Sequence, residues 1–262
     1  MIGSTRPDID RLAERMLRDY DAHTPGTLFA EGFRPTLDKA RLLQDAVARL
    51  RVARGEQVAG YKIGCVCPHN QRNNGLTHPV WGRLWSTEQH TSGVRLIRTD
   101  FANVAIEGEF AVTLGRDIEP EDASLDAVAR AVERIVPVIE LHNLVFRGGD
   151  PKGPELIANN AIHSGVVRGT GELVPAAAQA ICTDLSIQFD GDVVDAWTDI
   201  RWPDDILQAV GWLIENLGQS GDRLQRGQTI LTGALGPPLP VADVDHVLVK
   251  SSRFGHVEAR FD

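Results

Sequence analysis

The chain has 262 residues, 42% hydrophobic and 24% charged, which is the composition of an ordinary globular protein long enough to bury a large core, and not that of a disordered segment. Its 36 acidic against 27 basic residues give a net charge of -9 with no Lys/Arg tract, so nucleic acid and anionic membranes are excluded as expected partners and a small-molecule substrate is favoured. No apolar run approaches the length of a membrane span and the first residues lack the apolar region of a signal peptide, so the expected location is the cytoplasm.

From Pro7 to about His23 the spacing of Ile9, Leu12 and Met16 predicts an amphipathic helix, with Pro7 suited to its first turn. A second helix is predicted from a Thr36 cap to Gly55, with Leu43, Val47 and Leu50 on one stripe. Residues 1–58 therefore read as a helical N-terminal region, and residues 59–262 as the larger remainder. Short strands follow at Ala59 to Cys65 and Val94 to Arg98. Three cysteines, Cys65, Cys67 and Cys182, cannot all pair, and a Cys-x-Cys lacks the spacing of zinc or redox sites, so buried free thiols are expected.

A helix is predicted at about Leu125 to Arg134, with Leu125, Val128 and Val132 on its face. The Gly/Pro-rich stretch from Arg147 to Pro154 reads as a long loop suited to covering a site. Strands are expected at Ile162 to Val167 and Asp184 to Phe189, the latter closed by an Asp190-Gly191 hairpin turn. A last helix, Pro203 to Gly218, carries Ile206, Val210, Leu213 and Leu217 as its stripe. Strands at Gln228 to Thr232, Val247 to Lys250 and Val257 to Phe261 end the chain, and no internal repeat is present. Many short strands and few long helices predict a mixed α and β, mainly β fold with peripheral helices.

Chemistry concentrates in the run Val104 to Leu114. Strand side chains alternate between faces, so Val104, Ile106, Phe110, Val112 and Leu114 point one way and Glu107 and Glu109 the other. Two carboxylates side by side repel unless one is protonated or a cation lies between them, and a hard divalent cation such as Mg²⁺ is the natural neutraliser. The run Ile135 to Leu141 is also apolar and β-branched, yet it contains Glu140. An unpaired carboxylate on such a strand is costly, and a shared ion explains it as a third ligand.

Several segments together resemble the 2-keto-4-pentenoate hydratase and 4-oxalocrotonate decarboxylase family of the fumarylacetoacetate hydrolase superfamily. They are Gly60-Tyr-Lys-Ile-Gly64, Ile106-Glu-Gly-Glu-Phe-Ala111, Val136-Pro-Val-Ile-Glu140, Ile157-Ala-Asn-Asn-Ala161 and Ile230-Leu-Thr-Gly-Ala-Leu-Gly-Pro237, and they occur in the family's order. The resemblance implies a fumarylacetoacetate hydrolase-like β-roll or sandwich catalytic domain over residues 59–262, with a small helical N-terminal region. It implies that Glu107, Glu109 and Glu140 hold Mg²⁺ or Mn²⁺, that Lys62 is an active-site lysine, and that Thr232, Gly233, Ala234 and Leu235 form a substrate-side loop. It also implies a small 2-oxo acid substrate, a homo-oligomer, and association with a related enzyme of the family.

One position departs from the pattern, since an acid implicated in proton transfer is replaced by Val80. Valine moves no proton. The histidines next to motif residues, His78, His142 and His163, are candidates to replace it. The activity expected is a divalent-metal-dependent hydratase or decarboxylase acting on a short 2-oxo or 2-hydroxydienoic acid through a metal-stabilised enolate. The alternatives are a C–C bond hydrolase, an oxaloacetate-type decarboxylase, or a catalytically silent partner subunit.

Overall fold

The computed structural model describes residues 6–24, 26–143, 152–173 and 180–262. In chain order the elements are α1 (Arg6–Asp21), α2 (Leu37–Ala53), β1 (Val58–Gly64), α3 (Pro68–Asn73), β2 (Val80–Trp85), β3 (Gln89–Thr91), β4 (Val94–Leu96), β5 (Val104–Leu114), α4 (Leu125–Ala131), β6 (Val132–Asn143), α5 (Pro154–Ala158), β7 (His163–Arg168), β8 (Glu172–Leu173), β9 (Ile181–Phe189), β10 (Asp192–Trp202), α6 (Val210–Gln219), β11 (Thr229–Leu231), β12 (Leu239–Pro240), β13 (His246–Ser251) and β14 (Gly255–Phe261). The mainly β, mixed architecture expected from the sequence is the one observed. No helix among the described residues is long and apolar enough to cross a membrane.

The strands form two sheets. The larger has the order β2-β1-β11-β5-β6-β7-β3, with β12 on β5 and β8 on β6, and the smaller has the order β10-β9-β13-β14-β4. Ile106, Phe110, Val112 and Leu114 of β5 pack into the main core with Ile187 of β9 and Val249 of β13, so the apolar face of β5 looks onto the second sheet. Gly108 marks the tightest approach, because a Cβ there would lie 2.9 Å from the Ile187 side chain. This is the physical reason for a glycine between the two acids.

The opposite face of β5 is buried as well. Ala111 joins Leu84, Val136, Val138, Val166 and Leu231 in a smaller apolar cluster, while the N-terminal helices share a third cluster with Leu76, Val80, Leu156 and Ile162. Glu107 and Glu109 therefore lie on an interior face of the large sheet and not on a solvated one. An Arg51 guanidinium paired with Glu56 and Glu88, stacked over Trp85 and hydrogen-bonded network-wise to Tyr20 through Glu88, ties α1 and α2 to the sheet.

Most boundaries follow the periodicities, and the differences have local causes. Thr36 caps α2 as expected, accepting from the Lys39 N–H. The helix expected to reach Arg134 ends at Ala131, because the β-branched run from Val132 feeds a strand whose partner is β5. The helix expected from Pro203 begins at Val210: the Asp205 carboxylate accepts from the Arg201 N–H and guanidinium, closing a turn where a helical first turn was expected. Asp190 and Gly191 both have positive φ, 50° and 98°, and close the β9–β10 hairpin. Strands β2 and β10 were not expected from the pattern. β2 is buried along its whole length, and β10 is an edge strand broken up by Asp192, Asp195 and Asp199. The cysteines are free but not buried: Cys65 and Cys67 are half-buried and Cys182 is exposed. Of the loop expected at Arg147 to Pro154, residues 147–151 lie outside the described residues.

Candidate active site

The register of β5 on β6 pairs Glu107 directly with Glu140, and the strand alternation puts Glu109 on the same face one step along. His142 lies two residues beyond Glu140, on that face too, and its cross-strand neighbour on β7 is His163. Lys62 arrives from β1, which reaches β5 through β11. Sheet order thus assembles six chemistry-bearing side chains from four strands.

A left-handed turn between α5 and β7 completes the arrangement. Asn160, Ala161 and Ile162 all have positive φ, 52°, 52° and 58°, a conformation that costs about 1 kcal/mol or more for each such residue and is rarest for a β-branched one. The Asn160 side chain anchors it by accepting from the Arg83 N–H at 2.7 Å and donating to the Arg83 carbonyl at 2.9 Å, so that a side-chain amide occupies the open edge of β2. Gly82 permits that approach, since a Cβ there would lie 2.3 Å from the Asn160 carbonyl oxygen. The turn aims the Ala161 carbonyl at Lys62 Nζ, 3.2 Å away, and starts β7 with His163 facing Glu140.

Glu140 is fully buried and held on one side only. Its Oε1 accepts from Lys62 Nζ at 2.9 Å and contacts His163 Nδ1 at 2.8 Å, whereas Oε2 has no hydrogen-bond partner. His142 Nε2 lies 3.2 Å from Glu107 Oε2, 3.3 Å from Glu140 Oε2 and 3.4 Å from Lys62 Nζ. Glu109 Oε2 accepts from the Gly233 N–H at 2.9 Å, and its Oε1 is buried with no partner. Gly233 has φ +112°, and a Cβ there would meet Val66 at 2.4 Å, so only glycine offers its N–H in this place.

The electrostatics follow from burial and crowding. Burial opposes charge on Lys62, but Glu140, Glu107 and Glu109 outweigh it and hold the ammonium above its ordinary value. Burial opposes charge on Glu140 too, and Lys62 with His142 overrides it, keeping that carboxylate well below the usual range. Glu109 goes the other way: burial, then the charges of Glu140 and Glu107, push its carboxyl well above the usual range. His142 is raised to about 9, burial being outweighed by Glu107 and Glu140.

These groups open onto a cavity of about 490 Å³, a size suited to a small organic acid. Lys62, Glu107 and His142 form its polar floor, Val80, Leu156 and Ile162 an apolar wall, and Asn70 and Asn73 of α3, with Asn74 just after it, a neutral polar rim. Gly236, Pro237 and Pro238 close the far side.

The sequence-predicted residues divide accordingly. Lys62, Glu107, Glu109, Glu140, His142 and His163 come together. His78 does not: its ring stacks on Trp212 of α6, with centroids 5.9 Å apart, and its Nδ1 contacts the Pro79 carbonyl at 2.7 Å. In the expected substrate-side loop, Thr232 is buried with its hydroxyl on the Phe110 carbonyl, Gly233 serves Glu109, and Leu235 packs on the main core. None of Thr232, Gly233, Ala234 and Leu235 lines the cavity; the lining takes up at Gly236, directly after Leu235. The α3 asparagines were not singled out from the sequence. The signal for their helix was Pro68 at its first turn after Cys67, whose sulfur accepts from the Asn70 N–H.

The donors fit a divalent cation. The compact set is Glu107, Glu140 and His142, whose ligating atoms lie within 4.8 Å of one another. Glu109 lies outside that trio but brings a second orphaned oxygen to the same face. Buried carboxylate oxygens without partners are expensive unless a ligand satisfies them.

No protein-family model matches the chain. It is 28% identical to a TodF product hydratase of Pseudomonas putida, across 86% of this chain and 84% of the relative. It is 26% identical to a 2-keto-4-pentenoate hydratase of Burkholderia vietnamiensis, across 81% of each. Its fold superposes on 4-oxalocrotonate decarboxylase from Pseudomonas putida, complexed with magnesium and adipate, with a TM-score of 0.88 over 98% of both chains at 22% identity. The chain resembles the 2-keto-4-pentenoate hydratases in sequence and shares its fold with 4-oxalocrotonate decarboxylase. This chain brings the Glu107, Glu109 and Glu140 carboxylates and Lys62 together at one face, with His142 and His163 on either side of Glu140.

Proposed function

We propose that the chain is a divalent-metal-dependent lyase acting on a short 2-oxo or 2-hydroxydienoic acid. The observation that carries this reading is the pairing of Glu107 with Glu140 across β5 and β6, with the Glu140 Oε2 unsatisfied and Lys62 buried beside it at the floor of a small cavity. Hydratase relatives aligned along more than four fifths of the chain support it.

Glu107 and Glu140, with Glu109 and His142 beside them, would hold the cation. When bound it supplies a Lewis acid for the 2-oxo group and a counter-charge for the substrate carboxylate. Lys62, an ammonium sealed from water, adds positive charge where the 2-oxo oxygen gains electron density, and in a dry site that charge acts at full strength. Val80, Leu156 and Ile162 exclude water from the carbon chain of the substrate, and the α3 amides offer neutral hydrogen bonds to its far end.

A second reading is favoured by Val80, which lies in the cavity wall within the apolar cluster of the N-terminal helices and is 3% exposed. With no proton-transferring side chain there, decarboxylation or keto-enol conversion is the reaction this cavity suits best, ahead of hydration. The exposed Val193 and Val194 on edge strand β10 support assembly into a homo-oligomer. Turnover of 2-hydroxypenta-2,4-dienoate, 4-oxalocrotonate and oxaloacetate by the metal-loaded protein tests the proposal. Turnover of none of them, with metal bound, would point to a silent partner subunit.

A further inference from the structure

The donor that completes the Glu107 and Glu140 pair is a histidine nitrogen. His142 Nε2 is 3.2 Å from Glu107 Oε2 and 3.3 Å from Glu140 Oε2, and these three atoms are the compact cluster of the site. Resting on the metal-dependent reading above, we propose that His142 is a metal ligand and that this site selects a first-row transition ion over Mg²⁺.

Three observations carry it. Contacts of 3.2 and 3.3 Å are long for charge-assisted hydrogen bonds, which run at about 2.7–2.9 Å. They are instead close to the separation of adjacent donors around a common divalent ion. Second, imidazole nitrogen is a borderline donor that suits the later first-row divalent ions, while Mg²⁺ is served by oxygen and water. Two carboxylates and one imidazole with positions left open form a donor set of the type used by first-row ions that bind small substrates.

The third observation is the charge of the cluster. Glu107, Glu109 and Glu140 face one ammonium, Lys62. With an ion bound and all three carboxylates ionised, two negative charges remain beyond the ammonium, and one divalent ion cancels them without asking the imidazole for a charge. Burial adds to this: His142 is 2% exposed, Glu140 is fully buried, and the Glu140 Oε2 that faces His142 has no hydrogen-bond partner, so an ion at this place satisfies an oxygen that nothing else does.

The test uses the full chain stripped of metal. Wild type, His142→Gln and His142→Val are titrated calorimetrically with Mg²⁺ and Co²⁺, and the Mn²⁺-loaded forms are examined by electron spin-echo envelope modulation for nitrogen coupled to the ion. Wild type is expected to bind Co²⁺ more tightly than Mg²⁺ and to show nitrogen coupling. His142→Gln, which keeps an oxygen donor on a side chain of similar reach, is expected to lose the coupling and to bind Co²⁺ about tenfold or more weakly, with Mg²⁺ affinity within about threefold of wild type. The His163 ring stays in place in both variants, so loss of coupling reports on His142 alone. Absence of nitrogen coupling in wild type, a Co²⁺ to Mg²⁺ preference unchanged in His142→Gln, or no binding of any of the ions overturns the assignment. Nitrogen coupling with no turnover of any 2-oxo or dienoic acid sinks the lyase reading and leaves the ligand assignment standing.

Discussion

Lys62 Nζ and Glu140 Oε1 lie 2.9 Å apart with both side chains sealed from solvent, and each holds the other in its charged form against the cost of burial. Removing one partner of a buried pair leaves an uncompensated charge, which costs about 3–5 kcal/mol. Lys62→Met is therefore expected to abolish activity and to destabilise the metal-free protein by about that amount.

The pH dependence of that loss follows from the two directions. Glu140 is depressed, so its contribution is present above the ordinary glutamate value and is lost as pH falls through the folded value. Lys62 is raised, so its contribution is present below its ordinary value of 10.5 and is lost only as pH rises through the folded one. The stability gap between Lys62→Met and wild type should thus be flat from about pH 6 to pH 9 in urea denaturation. A gap that shrinks steeply within that window would show that the pair is not ionised as described.

Glu109 tests the opposite sign. Its carboxyl is pushed up by burial, then by Glu140 and Glu107, so its neutral form is the stable one in the metal-free protein, and the stability it lends is lost as pH rises from the ordinary glutamate range through the folded value. Glu109→Gln keeps an oxygen for the Gly233 N–H and carries no charge. The variant should match wild type within about 0.5 kcal/mol at low pH, exceed it as pH rises, bind divalent metal more weakly and lose activity. Thermal melts of the metal-free proteins across pH decide it, and a large loss at every pH would mark Glu109 as structural.

How much of this was legible in the sequence depends on whether the signal was local. The strand Val104–Leu114 was readable because a period-two pattern with two acids on one face lies within eleven consecutive residues. The facing of Glu107 by Glu140 was not, because register is set between strands joined through α4, and no residue pattern states it. The roles of the histidines were hidden for the same reason: all three adjoin motif residues, yet only register brings His142 and His163 to either side of Glu140 while His78 turns to Trp212. The Asn160 amide on the edge of β2 had no local signal at all, since its partner Arg83 is far away in the chain.

His163 is expected to act by positioning Glu140. Its Nδ1 meets Glu140 Oε1 at 2.8 Å and its Nε2 is buried without a partner. An asparagine places its amide nitrogen near Nδ1, a glutamine places it near Nε2. His163→Asn should keep metal affinity and activity near wild type, whereas His163→Gln should lower metal affinity about tenfold with a rise in the metal concentration needed for half-maximal rate. Calorimetry on both variants separates them, and a loss in His163→Asn that spares His163→Gln would mean that Nε2 is the atom that matters.

Val80 is expected to bear on which reaction prevails. Its side chain lies in the cavity wall and can neither give nor take a proton, so hydration of a dienoate should lag behind decarboxylation or keto-enol conversion in product analysis. Val80→Asp is expected to raise the share of hydrated product and to cost about 1–3 kcal/mol of stability, because it places a carboxyl in an apolar cluster. The competing route runs through a histidine. His78 faces Trp212 and is removed from contention, which leaves His142 in the cavity and His163 behind Glu140. Efficient hydration by wild type that persists in both His142→Gln and His163→Asn would place Val80 outside the proton path.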